Sequence, residues 1–350
     1  MENRVVIVGA GFSAPAGVPN QTNLLNKVLN LDDSYETIDA FNTEIPSDKE
    51  IIEIFLNHLF KNTEHEKISL EDLYTIIDQA ILKKRNVGIF DLASTIQVRE
   101  SLDRLISFIV NRQIKEETIN NLYIPLYESL SEIPDLSFIS LNWDFLLERI
   151  LYKKNISVDY KIPLEVLPYQ DKTNKTLHHE ILKPHGSLNW QLCPICESIY
   201  SDIDFSTQNI SLTKCPKCQN IYESSTYEKA KLAENNININ QRLMPLLISP
   251  TFIKENNIPH LNFIFQEIYK KLIEADEIIF IGYSLPISDH DIRNLLIRAN
   301  SVNSEAKVKV VLKEELSDIK NRLIYNYTSI YGKSIQFYWE GFDKFHQILE

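Results

Sequence analysis

Val5-Val6-Ile7-Val8-Gly9-Ala10-Gly11-Phe12-Ser13-Ala14 is the stretch on which the reading of the fold turns. Its first four residues are apolar and β-branched with no polar interruption, the pattern of a strand buried on both faces. The six residues from Gly9 to Ala14 fit G-x-G-x-x-G/A, a strand-to-helix turn. In such a turn glycines let the backbone bend tightly and approach a pyrophosphate, and the next helix points its positive end at it. A tight turn without a ligand satisfies the same six residues, so the hexapeptide alone leaves binding open.

Outward from this strand, short apolar runs recur at Phe138–Leu141, Leu246–Ile248, Ile278–Ile281 and Val308–Leu312. Helical patterns separate most of them. Alternation of buried strands with helices predicts an α/β fold, a Rossmann-like parallel sheet with helices on both faces. From about Leu24 to Leu130 the alternation breaks. Ser47 with Glu50, and Ser69 with Asp72, are helix-start signatures before apolar helical runs, and a further helical stretch is expected from about Arg99 through Leu130. Residues 24–131 therefore read as a helical insertion after the first βα turn. An ordinary dehydrogenase would continue with a second strand and an acidic residue about twenty positions on. Asp32 and Asp33 stand there, but no apolar strand precedes them. Gly332-Lys333-Ser334 lacks the earlier glycine of a Walker-type phosphate loop.

The 350 residues carry a formal net charge of −12, with 44% hydrophobic and 24% charged residues. This is the balance of a globular protein with room for one large core and a satellite module. An acidic surface repels polyanions, and Lys83-Lys84-Arg85, the densest basic run, reads as a solvated helix end. No direct nucleic-acid binding is expected. A small anion remains admissible, because backbone N–H groups hold phosphates without lysine or arginine. No apolar run reaches the ~18 residues that span a bilayer. Met1-Glu2-Asn3-Arg4 enters a strand at once, so neither a signal peptide nor membrane association is expected, and the predicted location is cytoplasmic.

Ser140-Leu141-Asn142-Trp143-Asp144 ends the second buried run, at the carboxyl end of a parallel strand, where such sheets bind ligands. Asn142 or Asp144 can equally cap the helix beginning at Phe145. Lys183-Pro184-His185-Gly186-Ser187 sits where another short strand should end. His185 suits proton transfer near neutral pH, although a lone histidine is also a common structural residue. His178 and His179 complete no metal-ligand pattern and read as loop residues. The four cysteines fall into Cys193-x2-Cys196 and Cys215-x2-Cys218, separated by eighteen residues. That spacing predicts a four-cysteine zinc ribbon over residues 187–225, with Zn2+ in a filled, structural coordination sphere.

In this order the pieces resemble the sirtuin family, and within it the bacterial sirtuin-like branch. Gly9 to Pro19 looks like the family's G-A-G-x-S-x-x-x-G-I-P, Ser140 to Asp144 like its T-Q-N-I-D, and His185-Gly186 like its His-Gly. The cysteine pairs come next in the chain, as the family's zinc module does, and Gly282-Tyr283-Ser284 is similar to its later G-T/S-S turn. The resemblance implies one sirtuin-like domain over 1–350 that binds NAD. It implies that Gly9, Ala10, Gly11, Ser13, Gly17, Pro19, Gly282, Tyr283 and Ser284 line the cofactor site. Asn142 would face the nicotinamide ribose, Asp144 the carboxamide, and His185 would act as general base. Gly11 and Gly282 are expected to keep pyrophosphate space free, so that a valine at either would block NAD and spare the fold.

Departures from the family pattern narrow the activity. Protein-deacylating sirtuins usually follow the proline of the first motif with x-Phe-Arg, whereas Pro19 is followed by Asn20-Gln21-Thr22. Leu141 replaces the motif's glutamine, Trp143 a small apolar residue, and Val310-Val311-Leu312-Lys313 offers no adenosine-ribose asparagine. These differences fit the sirtuin-like proteins of bacterial phage defence that hydrolyse NAD outright. The expected activity is thus an NAD glycohydrolase, working as a homo-oligomer with room for a second defence-system subunit. The alternatives are an NAD-dependent deacylase or ADP-ribosyl transferase, and a nucleotide-sensing subunit without chemistry.

Overall fold

The computed structural model describes residues 2–31, 47–61, 63–133, 135–165, 177–193, 195–201, 215–218, 243–248, 259–342 and 344–345. Asp32 and Asp33 lie outside the described residues. Seven strands form one sheet: β1 (Asn3–Val8), β2 (Asp135–Ser140), β3 (Ser157–Asp159), β5 (His178–Leu182), β9 (Glu277–Ile281), β10 (Lys307–Val311) and β11 (Ile335–Tyr338). Their order is β11-β10-β9-β1-β2-β5-β3, and each neighbouring pair is parallel. In β1 and β9 every residue but Asn3 is buried. Since successive side chains alternate between faces, both faces of the sheet's centre are covered.

After β1 the chain builds one side of the sheet, with β2 next to β1, β3 at the edge and β5 between them, then returns to build the other side from β9. β1 is therefore a switch point, where open parallel sheets bind ligands beyond the carboxyl ends of their strands. Register places Val8 opposite both Ser140 and Ile281. The three strands end level and deliver Gly9, Leu141 and Gly282 to one crevice.

Helices supply the rest of the architecture: α1 (Ala10–Ser13), α2 (Gln21–Leu29), α3 (Asp48–Leu59), α4 (Leu70–Leu82), α5 (Leu92–Gln113), α6 (Glu116–Thr118), α7 (Ile124–Leu130), α8 (Leu146–Lys153), α9 (Pro259–Glu274), α10 (His290–Val302) and α11 (Ser317–Tyr331). The signature at Ser47 is a capping box: Ser47 Oγ accepts from the Glu50 amide, and Glu50 Oε2 accepts from the Ser47 amide. Ser69 Oγ accepts from the Asp72 amide at the start of α4. The next helix begins at Leu92, earlier than the expected Arg99, because Asp91 caps it through the Ser94 amide at 2.8 Å. It ends at Gln113, and a π-helical turn over Ile119–Tyr123 joins α6 to α7. Helices α2 to α5 bury their own apolar cluster, which includes Phe55, Leu73, Tyr74, Ile77, Leu102 and Ile106. Lys83, Lys84 and Arg85 are exposed and follow directly on the end of α4.

The expectation that His178 and His179 lie in a loop is corrected. Both are strand residues in β5, paired with β3 through Ser157 and Val158. His179 is buried, and its ring nitrogen lies 2.8 Å from the Tyr127 hydroxyl. Burial lowers its proton affinity. Polar residues at the start of the strand disguised it.

A second, four-stranded sheet has the order β4-β7-β6-β8, made of β4 (Leu164–Glu165), β6 (Gly186–Leu192), β7 (Ile199–Ser201) and β8 (Met244–Leu247). β6 begins immediately after His185 and runs directly into Cys193. It thus couples the crevice of the first sheet to the cysteine module. Among the described residues no helix is long and apolar enough to cross a membrane.

Candidate active site

The two glycine turns interlock. The Gly9 amide donates to Ile281 O at 3.0 Å and the Gly11 amide to Gly282 O at 2.8 Å. A Cβ on Gly9 would lie 2.8 Å from Gly282 O, and one on Gly11 2.9 Å from Gly282 Cα. Gly282 has φ +66°, and its Cβ would meet the Phe12 amide nitrogen at 2.1 Å. The missing side chains thus make room for the opposite turn. The expectation that a valine at Gly11 or Gly282 spares the fold is corrected on this ground. Gly17 (φ +98°) has a similar duty, since a Cβ there would lie 2.6 Å from Gln113 O at the end of α5.

Behind the turns, Asn142 donates through Nδ2 to Gly9 O at 2.9 Å and to Ser13 Oγ at 3.0 Å. Its side chain bridges the end of β2 to the first glycine turn and caps no helix. Asp144 does serve the helix after it: its Oδ1 accepts from the Leu146 amide at 3.0 Å. Trp143 donates through Nε1 to Ile248 O and meets Tyr74 of α4 edge-on, which ties the strand end to the helical cluster.

His185 is placed by the turn between β5 and β6. Its Nδ1 lies 3.1 Å from Leu141 O, and its Nε2 is buried with no hydrogen-bond partner in the structure. Two residues back stands Lys183. Its ammonium, wholly buried, donates to Asp144 O at 2.6 Å and Glu148 Oε1 at 3.1 Å. Tyr160 donates to the same carboxylate oxygen and accepts from Asn189 Nδ2. Burial, then the Glu148 charge, pushes the Tyr160 hydroxyl well above the ordinary range, so it stays a neutral donor.

A cavity of about 290 Å³ opens between these elements. Of the residues singled out in the sequence, Gly9, Ala10, Ser13, Pro19, Asn142, Asp144, His185, Gly282, Tyr283 and Ser284 line it, whereas Gly11 and Gly17 do not. Sequence reasoning missed its roof. Leu24 of α2, Glu71 of α4 and Val110 of α5 close it from the helical cluster, and Asp289 closes it beside His185. The local signal for Asp289 is its place just before α10, seven residues after Gly282.

The four cysteines converge as their spacing implied. Their sulfurs all lie within 4.8 Å of one another, with Cys193–Cys218 and Cys196–Cys215 each at 3.7 Å. A tetrahedron with Zn–S bonds of ~2.3 Å has an edge of ~3.8 Å, whereas a disulfide brings sulfurs to ~2.05 Å. The set therefore fits a tetrahedral thiolate-bound ion and no disulfide. Burial acts to raise the Cys196 thiol, but hydrogen bonds with Ser198 and the neighbouring sulfurs outweigh it and bring it down to about 7.

The sheet, its crevice at β1 and the cavity there define a Rossmann-like α/β protein. A family model described as the SIR2-like domain matches residues 136–330, more than half of the chain, and the chain belongs to that family. No curated protein matches it. Among solved structures it is similar to Sir2Tm bound to a propionylated peptide, at 14% identity over 99% of this chain and 91% of that one, with a TM-score of 0.42. A Sir2–p53 peptide–NAD+ complex matches at 15% identity over 99% and 91%, with a TM-score of 0.41. A mutant Sir2 homologue in complex with 2'-O-acetyl ADP-ribose matches at 13% over the same shares, with a TM-score of 0.45.

Proposed function

We propose that the protein is an NAD glycohydrolase that splits the nicotinamide–ribose bond to give nicotinamide and ADP-ribose. The observation that carries this reading is the convergence of Asn142, Asp144 and His185 on one cavity between two glycine turns, at the switch point of the sheet. In the reaction the bond between the ribose C1' and the pyridinium nitrogen breaks, and its electron pair neutralises the departing nicotinamide. Water oxygen bonds to C1', and the proton it loses goes to His185 Nε2. Positive charge grows on the ribose meanwhile, and the carboxylate and amide oxygens of Asp144 and Asn142 favour that charge. The turns at Gly9–Ser13 and Gly282–Ser284 would take the pyrophosphate, and the four cysteines a structural zinc.

Hydrolysis is favoured over deacylation by what stands after Pro19. Asn20, in place of the deacylases' x-Phe-Arg, opens α2 and accepts from the Asn23 amide at 3.1 Å. A second cavity of about 450 Å³ adjoins the first at His185 and Ile248, lined further by Leu261, Phe265 and Tyr269. It supports the second reading, transfer to an acceptor such as an acylated lysine. Incubation of the purified protein with NAD, with and without an acylated peptide, separates the two. Nicotinamide and ADP-ribose formed without peptide support hydrolysis, and turnover that requires the peptide supports transfer.

In the cell this activity would serve anti-phage defence by depleting NAD in the cytoplasm. We take the chain as one domain over 1–350 with an insertion at 24–131 and a ribbon at 187–225. Exposed Ile54, Leu82 and Ile89 on or beside the insertion helices suit self-association, or a second defence subunit, as the gate on activity.

A further inference from the structure

We propose that Asp289 is a positioning residue for His185, its carboxylate holding the proton that Nε2 takes up in the reaction. This rests on the reading of His185 as the base. The tautomer is set by geometry: Leu141 O can only accept, so Nδ1, 3.1 Å away, carries the hydrogen. Nε2 is then the basic lone pair. It is buried, it has no hydrogen-bond partner, and Asp289 Oδ1 stands 3.6 Å from it. In the neutral ring two electron-rich atoms face each other at that distance. A proton on Nε2 turns the same approach into a charge-assisted pair.

Asp289 is itself tightly held. Tyr283 donates its hydroxyl to Oδ2 at 2.8 Å, the Asp289 amide donates to Pro286 O, and the Arg293 amide donates to Asp289 O. Burial first, then the Asp289 charge, keeps Tyr283 well above its ordinary range and so protonated as a donor. Leu285 earlier in the loop is wholly buried at φ +49°, a conformation that costs a non-glycine residue about 1 kcal/mol or more and persists where the surroundings dictate it. Arg293 Nη1 donates to its carbonyl at 3.3 Å. The other titratable groups around the ring are Glu71 and Asp144 in the same cavity, and Asp291, Arg298 and Tyr269 in the adjoining one. Lys183 is paired with Glu148. Among the described residues, the carboxylate in ion-pair reach of Nε2 is that of Asp289.

The test is Asp289→Asn, which keeps shape and removes charge. Turnover of NAD should fall about 10–100-fold with little change in KM. The acidic limb of the pH–rate profile should move to lower pH by about one unit, since a base without its counter-charge takes its proton less readily. Asp289→Glu should recover part of the rate. NMR titration of the His185 ring in the free protein gives a readout independent of activity: its midpoint should move down by about one unit in Asp289→Asn. Should that variant fail to fold, the wild type still decides, because a neutral His185 carrying its hydrogen on Nε2 overturns the proposal. NAD hydrolysis with the profile and the ring titration unmoved by Asp289→Asn also overturns it and spares the glycohydrolase reading. A moved ring titration in a protein that does not hydrolyse NAD spares the pair and removes that reading.

Discussion

Lys183 and His185 are two residues apart on one turn, yet their surroundings differ in kind. Behind the turn, Lys183, Glu148, Tyr160 and Asn189 are linked in a buried cluster through Glu148 Oε1, while Glu148 Oε2 has no hydrogen-bond partner. In front of it, His185 lines a cavity, and its Nε2 is buried with no hydrogen-bond partner. An unmade hydrogen bond at a buried polar atom costs about 1–3 kcal/mol, and most such atoms avoid it. The rear cluster holds the turn in place. What sets the front apart is the cavity that His185 lines, where a ligand has room to bind.

The largest effect expected lies on the holding side, in the module that β6 enters at Cys193. Structural zinc sites of this kind contribute about 10 kcal/mol or more of binding free energy to folding. Elemental analysis should find one zinc per chain, and chelation should lower the melting temperature sharply. Zinc-free protein that melts like the native form would remove the module from the frame. Next come Asn142→Ala and His185→Ala, each expected to cost about 10²–10⁴-fold in NAD turnover. Urea unfolding of His185→Ala should stay within about 1 kcal/mol of wild type. Lys183→Met should reverse that outcome, losing about 3–5 kcal/mol because it strands the Glu148 carboxylate in the interior. If the Lys183 variant unfolded like wild type and turned over slowly, the division between holding and acting residues would collapse. Gly11→Val should have the smallest effect, about 1–3 kcal/mol of lost stability from overpacking against Gly282. Calorimetry alongside a thermal melt tests it: lost NAD affinity with an unchanged melt would restore the ligand as the reason for that glycine.

Much of the frame was legible in the sequence because burial on both faces leaves uninterrupted apolar runs. β1, β2, β9 and β10 were found that way to within a few residues; Met244–Leu247 appears where Leu246–Ile248 was expected, but it pairs antiparallel with β6 in the second sheet instead of joining the parallel one. The end of β5 was expected just before Lys183, but its start escaped because His179 satisfies its polarity through Tyr127, a partner 52 positions away. The cysteine module was legible because tetrahedral coordination imposes a local spacing. Asn142, Asp144 and His185 were legible as motifs, but their partners were not. Asp289 reaches the ring only through the fold, and Leu24, Glu71 and Val110 enter the cavity from a cluster with its own apolar logic. Local patterns mark strands and knuckles; meetings across a hundred residues leave no periodic trace.

The interlocked turns also carry a historical consequence. Gly9, Gly11 and Gly282 occupy each other's side-chain space, so a lineage changing one position at a time finds every single step obstructed by the opposite turn. Escape requires concerted change on two segments some 270 residues apart, a rare event. Such a pair should stay frozen while the cavity wall around it, made of ordinary side chains, drifts toward new substrates.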